Sequence, residues 1–265
     1  MNDAPTDRRG FIKRSVGGAA VTLAAADVVA QASTPPTAPT SASAPAATRA
    51  ERLIERPGSD FMIDVIRTLD IDYVAANPGS SFRSLHESLV NYGGNKKPEL
   101  LTCLHEEASV AMAHGYAKAA GKPMGVFVHG TVGLQHAAMA IYNAWVDRVP
   151  VLMFGGNGID ANQRRPGTEW NHSVQDAAAM VRDFVKWDDA PGSLQHFAES
   201  TVRAYKIATT PPMEPVLVMA DIGLQEDAVH DSTLKIPALA RSIPAQGDSA
   251  ALAEAARWQI GRAHV

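Results

Sequence analysis

From residue 58 onward, short apolar runs alternate with segments of helical periodicity, and no other feature of this chain restricts its fold as strongly. The runs that read as strands are Tyr73 to Ala76, Leu100 to Leu104, Gly125 to Val128, Val151 to Phe154 and Pro215 to Met219. Between and around them, the spacing predicts helices over Ser59 to Leu69, Phe82 to Tyr92, Glu107 to Ala120, Leu134 to Val146 and Gln195 to Ala208. Strands that are apolar throughout suit a sheet covered on both faces, and a helix between two strands is the crossover that a parallel pair needs. The expected fold class is therefore α/β, a doubly wound parallel sheet with helices on both faces. No internal repeat interrupts it.

Open parallel sheets bind ligands outside the carboxyl ends of their strands, so the residues that follow each run carry the functional reading. Glu106 stands at the carboxyl edge of the second run and opens a helix rich in small residues, which Gly121 and Pro123 end. The small side chains, with Gly115 among them, would let that helix lie close to the sheet. Glu106 and Glu107 would equally serve only to complement the positive end of the helix dipole. Asn77-Pro78-Gly79-Ser80-Ser81 follows the first run as a tight turn, with Ser80 or Ser81 available to cap the next helix. His129-Gly130-Thr131-Val132-Gly133 follows the third run and Gly155-Gly156-Asn157-Gly158 the fourth. These loops and Glu106 would line one crevice.

Several function classes are set aside on residue grounds. None of the loops carries a dinucleotide fingerprint or a phosphate loop with its lysine. His105, His114, His129 and His136 fall on different elements without a paired-ligand motif, so no metal site is expected. The net charge is −4 with basic residues scattered, which gives no footprint for nucleic acid. The single cysteine, Cys103, excludes an internal disulfide and reads as a buried thiol in a strand.

The N-terminus reads as an address rather than as fold. Asp7-Arg8-Arg9-Gly10-Phe11-Ile12-Lys13, an Ala-rich stretch from Val16 to Ala30, and Ala30-Gln31-Ala32 resemble a twin-arginine export signal and its cleavage site. Residues 1–32 are the expected signal peptide, 33–51 a flexible linker rich in Pro, Ser, Thr and Ala, and 52–230 the folded domain. The protein is expected in the periplasm, with no membrane-spanning segment after cleavage.

Taken in order, the NPGS turn at 77–80, the HEE at 105–107, the HGYAKAAGKP at 114–123 and the VHGTVGLQHAAMAIYNAWVDRVPVL at 128–152 resemble one known family. It is the pyrimidine-binding domain of thiamine-diphosphate-dependent enzymes of the acetolactate synthase and 2-oxo acid decarboxylase group. The resemblance runs from about Arg56 to Asp227 and implies thiamine diphosphate as cofactor and a small 2-oxo acid as substrate. It implies that Glu106 hydrogen-bonds a ring nitrogen of the aminopyrimidine, promoting the tautomer that activates the thiazolium. It also implies that Pro78, Gly79, Gly133 and Gln135 lie near the cofactor. Ser80 and His129 look like the substrate-contacting serine and proton-handling histidine of benzoylformate decarboxylase, whereas His105-Glu106 looks more like the synthases. Ser80 reads equally well as a plain helix cap, and Asn143 and Trp145 as packing or interface residues.

The family's later domain holds the diphosphate through Mg2+, using a Gly-Asp-Gly start that this chain lacks; Gly247-Asp248-Ser249 is the nearest string. Residues 231–259 look like the start of a central domain. Ile260-Gly261-Arg262-Ala263-His264-Val265 is what a common sequencing adapter encodes, so residues 260–265 are expected to be foreign and the natural protein to continue. The resemblance then implies a full-length homodimer or homotetramer whose site is shared between subunits, with the 265-residue chain inactive alone. Two other readings stand beside it: a non-enzymatic or split-subunit binding module, and a periplasmic solute-binding protein.

Overall fold

The computed structural model describes residues 56–159, 164, 167–230, 233–240, 243 and 245–262. The expected export signal and linker lie outside the described residues, as do positions 263–265 of the adapter-like ending.

Helix α1 (Gly58–Arg67) begins after Pro57 and carries Asp60 in its first turn and Arg67 in its last, the charge order that the helix dipole favours. Strand β1 (Tyr73–Ala76), strand β2 (Glu99–Thr102), helix α3 (Glu106–Ala120), strand β3 (Gly125–His129), helix α4 (Gly130–Val146) and strand β4 (Leu152–Asn157) then alternate, with the short helix α2 (Arg83–Glu87) between β1 and β2. Helix α5 (Thr168–His172), strand β5 (Trp187–Asp189), helix α6 (Leu194–Thr209), strand β6 (Val216–Asp221), helix α7 (Ile222–Glu226) and helix α8 (Ser249–Arg262) complete the described elements.

The six strands form one sheet in the order β2-β1-β3-β4-β6-β5, and every pairing is parallel. The expected α/β sheet is thus observed. Side chains alternate across the pleat, so each strand feeds two cores. Val74, Phe127, Leu152, Phe154, Val216 and Val218 pack with α1 and α6, while Ala75, Val126, Val128, Met153 and Leu217 pack with α3 and α4. Phe82, Phe127, Phe154 and Phe197 are fully buried in the first core, each contributing about 1.5–3 kcal/mol relative to exposure.

Strand β1 lies between β2 and β3, so the chain reverses its direction across the sheet there. The crevice outside the carboxyl ends of β1 and β3 is the switch point at which such sheets bind ligands.

Several local expectations change. The helix expected over Phe82 to Tyr92 is a 3-10 turn at Ser80–Phe82, α2, and a wide π turn at Ser88–Tyr92. The wide turn keeps Ser88 inside, where its hydroxyl donates to Asp60 Oδ1 at 2.7 Å. Neither Ser80 nor Ser81 caps the helix that follows it; Gly79 precedes the turn, and the side chain of Ser81 is turned towards His129. Strand β2 ends at Thr102, so Cys103 is buried just beyond it and Leu104 is 97% exposed. Gly115 faces open space, and among the small residues of α3 only Ser109, Ala113 and Ala117 are buried. Strand β5 carried no apolar signal, since its three residues are Trp187, Asp188 and Asp189 at the sheet edge.

Candidate active site

Glu106 is the first residue of α3, where the sequence places the helix start at Glu107. His105 is the N-cap, its Nδ1 accepting the Glu107 N–H at 3.2 Å. That cap, with the following run of good helix formers, starts the helix one residue earlier than the sequence suggests. The shift turns the Glu106 side chain inward. The residue is 3% exposed, and its carboxylate lies against α4, with Oε2 3.4 Å from His136 Nδ1.

Helix α4 begins directly from β3, so the expected loop after His129 is absent. His129 ends the strand in an extended conformation and Gly130 is already helical. Consequently Gly133 lies in the first turn and faces both site residues. A Cβ at Gly133 would stand 3.3 Å from Glu106 Oε1 and 3.1 Å from the His129 Cβ. Gly79 is as tightly placed, since a Cβ there would stand 2.9 Å from the His129 ring. Both are glycines because the crevice walls meet where a side chain would stand.

His129 is half-buried among hydroxyls and a second imidazole. Ser81 Oγ lies 3.0 Å from its Nδ1 and also accepts the Gly130 N–H at 3.0 Å, while Ser80 Oγ lies 3.4 Å from Nε2. The His172 ring stands 5.2 Å away, its backbone carbonyl accepting from Thr131 Oγ1 at 2.6 Å. Burial, together with repulsion from a charged His172, holds the His129 pKa below its ordinary value against a weaker opposing pull from Glu106. The ring therefore favours its neutral form near pH 7, able to accept a proton at one nitrogen and donate from the other.

The fold brings together Glu106, His129, Gly133, Pro78, Gly79 and Ser80 at the carboxyl ends of β1 and β3. Gln135 is exposed on α4 and makes no described contact with this group. Sequence reading missed Ser81 as a partner of His129, and it missed His172, whose Nδ1 is buried without a hydrogen bond. Asn157 went unmarked as well: it is 3% exposed, its Nδ2 donates to Val174 O, and its Oδ1 is unpartnered. No local pattern could have found these, because each stands on a different element, far along the chain from its neighbours in the site. His105 and His136 are brought together too, their rings stacked with centroids 4.6 Å apart.

Comparison with known proteins finds relatives of this fold. Residues 56–180 match the family model of the thiamine pyrophosphate enzyme N-terminal TPP binding domain. A benzoylformate decarboxylase of Pseudomonas aeruginosa is 32% identical over 113 residues, covering 43% of this chain and 21% of that protein. An acetolactate synthase of Bacillus subtilis is 23% identical over 204 residues, covering 76% of this chain and 34% of that protein. The crystal structure of benzoylformate decarboxylase from Polynucleobacter necessarius shares the fold at a TM-score of 0.62, with 23% identity over 77% of this chain and 36% of that one. The chain thus spans only 21% and 34% of the length of these two curated relatives.

Proposed function

We propose that this chain supplies the pyrimidine-binding part of a thiamine-diphosphate-dependent enzyme that acts on a 2-oxo acid, by decarboxylation or carboligation. The observation that carries the reading is the buried Glu106 carboxylate, set at the first turn of α3 against Gly133 and within the same crevice as His129. The match of residues 56–180 supports the cofactor class.

The residues fit that cofactor. A carboxyl group 3% exposed, whose contact with His136 is a long 3.4 Å, keeps hydrogen-bonding capacity for a ring nitrogen of an aminopyrimidine. Gly133 and Gly79 let α4 and the turn after β1 close directly on Glu106 and His129, which fixes those two side chains at the crevice. Thiamine diphosphate, when bound, supplies the electron sink for cleavage next to the 2-oxo acid carbonyl. Glu106 holds the proton shared with the pyrimidine nitrogen. His129, neutral near pH 7, donates a hydrogen bond from Nε2 into the crevice, and Ser80 Oγ beside it orients the substrate. Pro78 stands beside Gly79 in the cofactor-facing turn in this reading, whereas Gln135, exposed on α4, stays apart from it. The diphosphate and its Mg2+ are held by residues outside this domain.

The activity belongs to a longer protein, assembled as a homodimer or homotetramer and exported by the twin-arginine pathway to the periplasm. Assembly is supported by large apolar side chains left exposed just before α3 and on α4: Leu104 at 97%, Met139 at 61% and Val146 at 52%. Cell fractionation with Arg8→Lys and Arg9→Lys together tests the export, which that change should abolish. For the activity, the reading frame is extended beyond the codon for Gln259, and Glu106→Gln is compared with the parent. A loss of about 100-fold or more in kcat/KM with an unchanged circular dichroism spectrum is expected. Equal turnover in the two proteins would overturn the assignment.

A further inference from the structure

Sequence spacing gave no metal-ligand motif, yet the fold gathers one between two helices. His105, Glu106 and His136 each bring a ligand atom to within 4.8 Å of the others. Glu106 is buried while both imidazoles are exposed, so the cluster has a fixed floor and a mouth open to solvent.

The contact at its centre is informative. Glu106 Oε2 and His136 Nδ1 stand 3.4 Å apart, long for a charge-assisted hydrogen bond. Ligands about 2.0–2.1 Å from a tetrahedral ion stand about 3.3 Å from one another, which is the separation found here. His105 stacks on His136 with an interplanar angle of 16°, and its exposed ring needs only a side-chain rotation to present a nitrogen to the same point. That rotation exchanges the helix cap on the Glu107 N–H for a metal bond. Two imidazoles and one carboxylate favour a borderline ion such as Zn2+, Co2+, Ni2+ or Cu2+ over Mg2+ or Ca2+.

We propose that His105, Glu106 and His136 form a binding site for one divalent transition-metal ion, closed by solvent. A consequence rests on the proposed function: ion and cofactor use the same Glu106 carboxylate and exclude each other, making the site a brake that Zn2+ applies to the cofactor-free protein.

The test titrates the untagged, chelator-treated 265-residue chain with Co2+ and with Zn2+, without cofactor, by visible absorption and calorimetry. One equivalent should bind, with the intense d–d bands of a four-coordinate Co2+, and excess Mg2+ should not displace it. His136→Ala and His105→Ala should each weaken binding by about tenfold or more. Both side chains are exposed, and circular dichroism checks that each variant folds. His114→Ala, whose imidazole meets Asp147 instead, should bind as the parent does. Absence of one-to-one binding, or binding unaltered in His136→Ala, would overturn the site. In the longer protein, thiamine diphosphate should weaken Zn2+ binding and Zn2+ should weaken cofactor binding. Simultaneous binding without mutual weakening would overturn the exclusion and the assignment of Glu106 to the cofactor, while the metal site stands on the first titration.

Discussion

Ser81 Oγ lies 3.0 Å from His129 Nδ1 while accepting the Gly130 N–H at 3.0 Å. Ser81 is buried, so a hydroxyl that accepted from both neighbours would leave its own proton without a partner. Donation to Nδ1 satisfies every group, which places the imidazole proton on Nε2, the nitrogen facing Ser80 and the crevice. Ser81→Ala should therefore release the tautomer preference, read by the 15N shifts of His129. It should also cost about 1–3 kcal/mol in urea denaturation, because the Gly130 N–H loses its acceptor.

The His129 pKa lies below its ordinary value of 6.5, first because the ring is buried and then because of His172. Between the folded midpoint and 6.5 the unfolded chain binds a proton that the folded ring refuses, so stability rises with pH across that window. The stabilisation is complete above 6.5 and is lost as the pH falls through the folded midpoint. His129→Asn should flatten this part of the pH–stability curve. His172→Gln should move the His129 midpoint upward in an NMR titration, since a like charge is removed.

Two glycines should respond oppositely to alanine. At Gly79 the new Cβ would stand 2.9 Å from the His129 ring, and the collision should cost about 1–3 kcal/mol and shift the His129 resonances. At Gly115, inside α3 with nothing within 4 Å, the same change should stabilise the chain by about 0.5–1 kcal/mol. Thermal melts of the two variants read both.

Asp72, at the entry to β1, draws three partners to the amino end of the sheet. Lys122 pairs with it, the Tyr116 hydroxyl donates to it at 2.8 Å, and Lys97 lies at 3.4 Å. Lys122 first, then Tyr116, brings its pKa from 3.8 to about 2. This contribution is present above 3.8 and is lost as the pH falls towards about 2. Asp72→Asn should thus unfold at lower urea than the parent at neutral pH, with the two midpoints converging under acid.

Much of the frame was written in local pattern. The runs at β1, β3, β4 and β6 are apolar because helices cover them on both faces, and burial leaves that mark on neighbouring residues. Edge strands leave less of it, which is why β5 was missed and the end of β2 misplaced by two residues. Glu106 was legible as the acidic residue that opens a small-residue helix at a strand's carboxyl end. Its inward turn was not, because that depended on the His105 cap and on where the first helical residue fell.

The sequence by itself determined an alternating α/β chain and the loops that would carry chemistry. Strand order was left to the tertiary structure, and with it every contact across the crevice. Ser81 meets His129 from 48 residues away and Glu106 meets His136 from 30, because β1 pairs with β3 and α3 packs on α4. Periodicity reports whether a residue faces inward; it carries no record of which distant residue stands opposite. That is why Gln135, next to His136 in sequence, is left on the exposed side of α4, while His105 and His136 come together above a buried carboxylate.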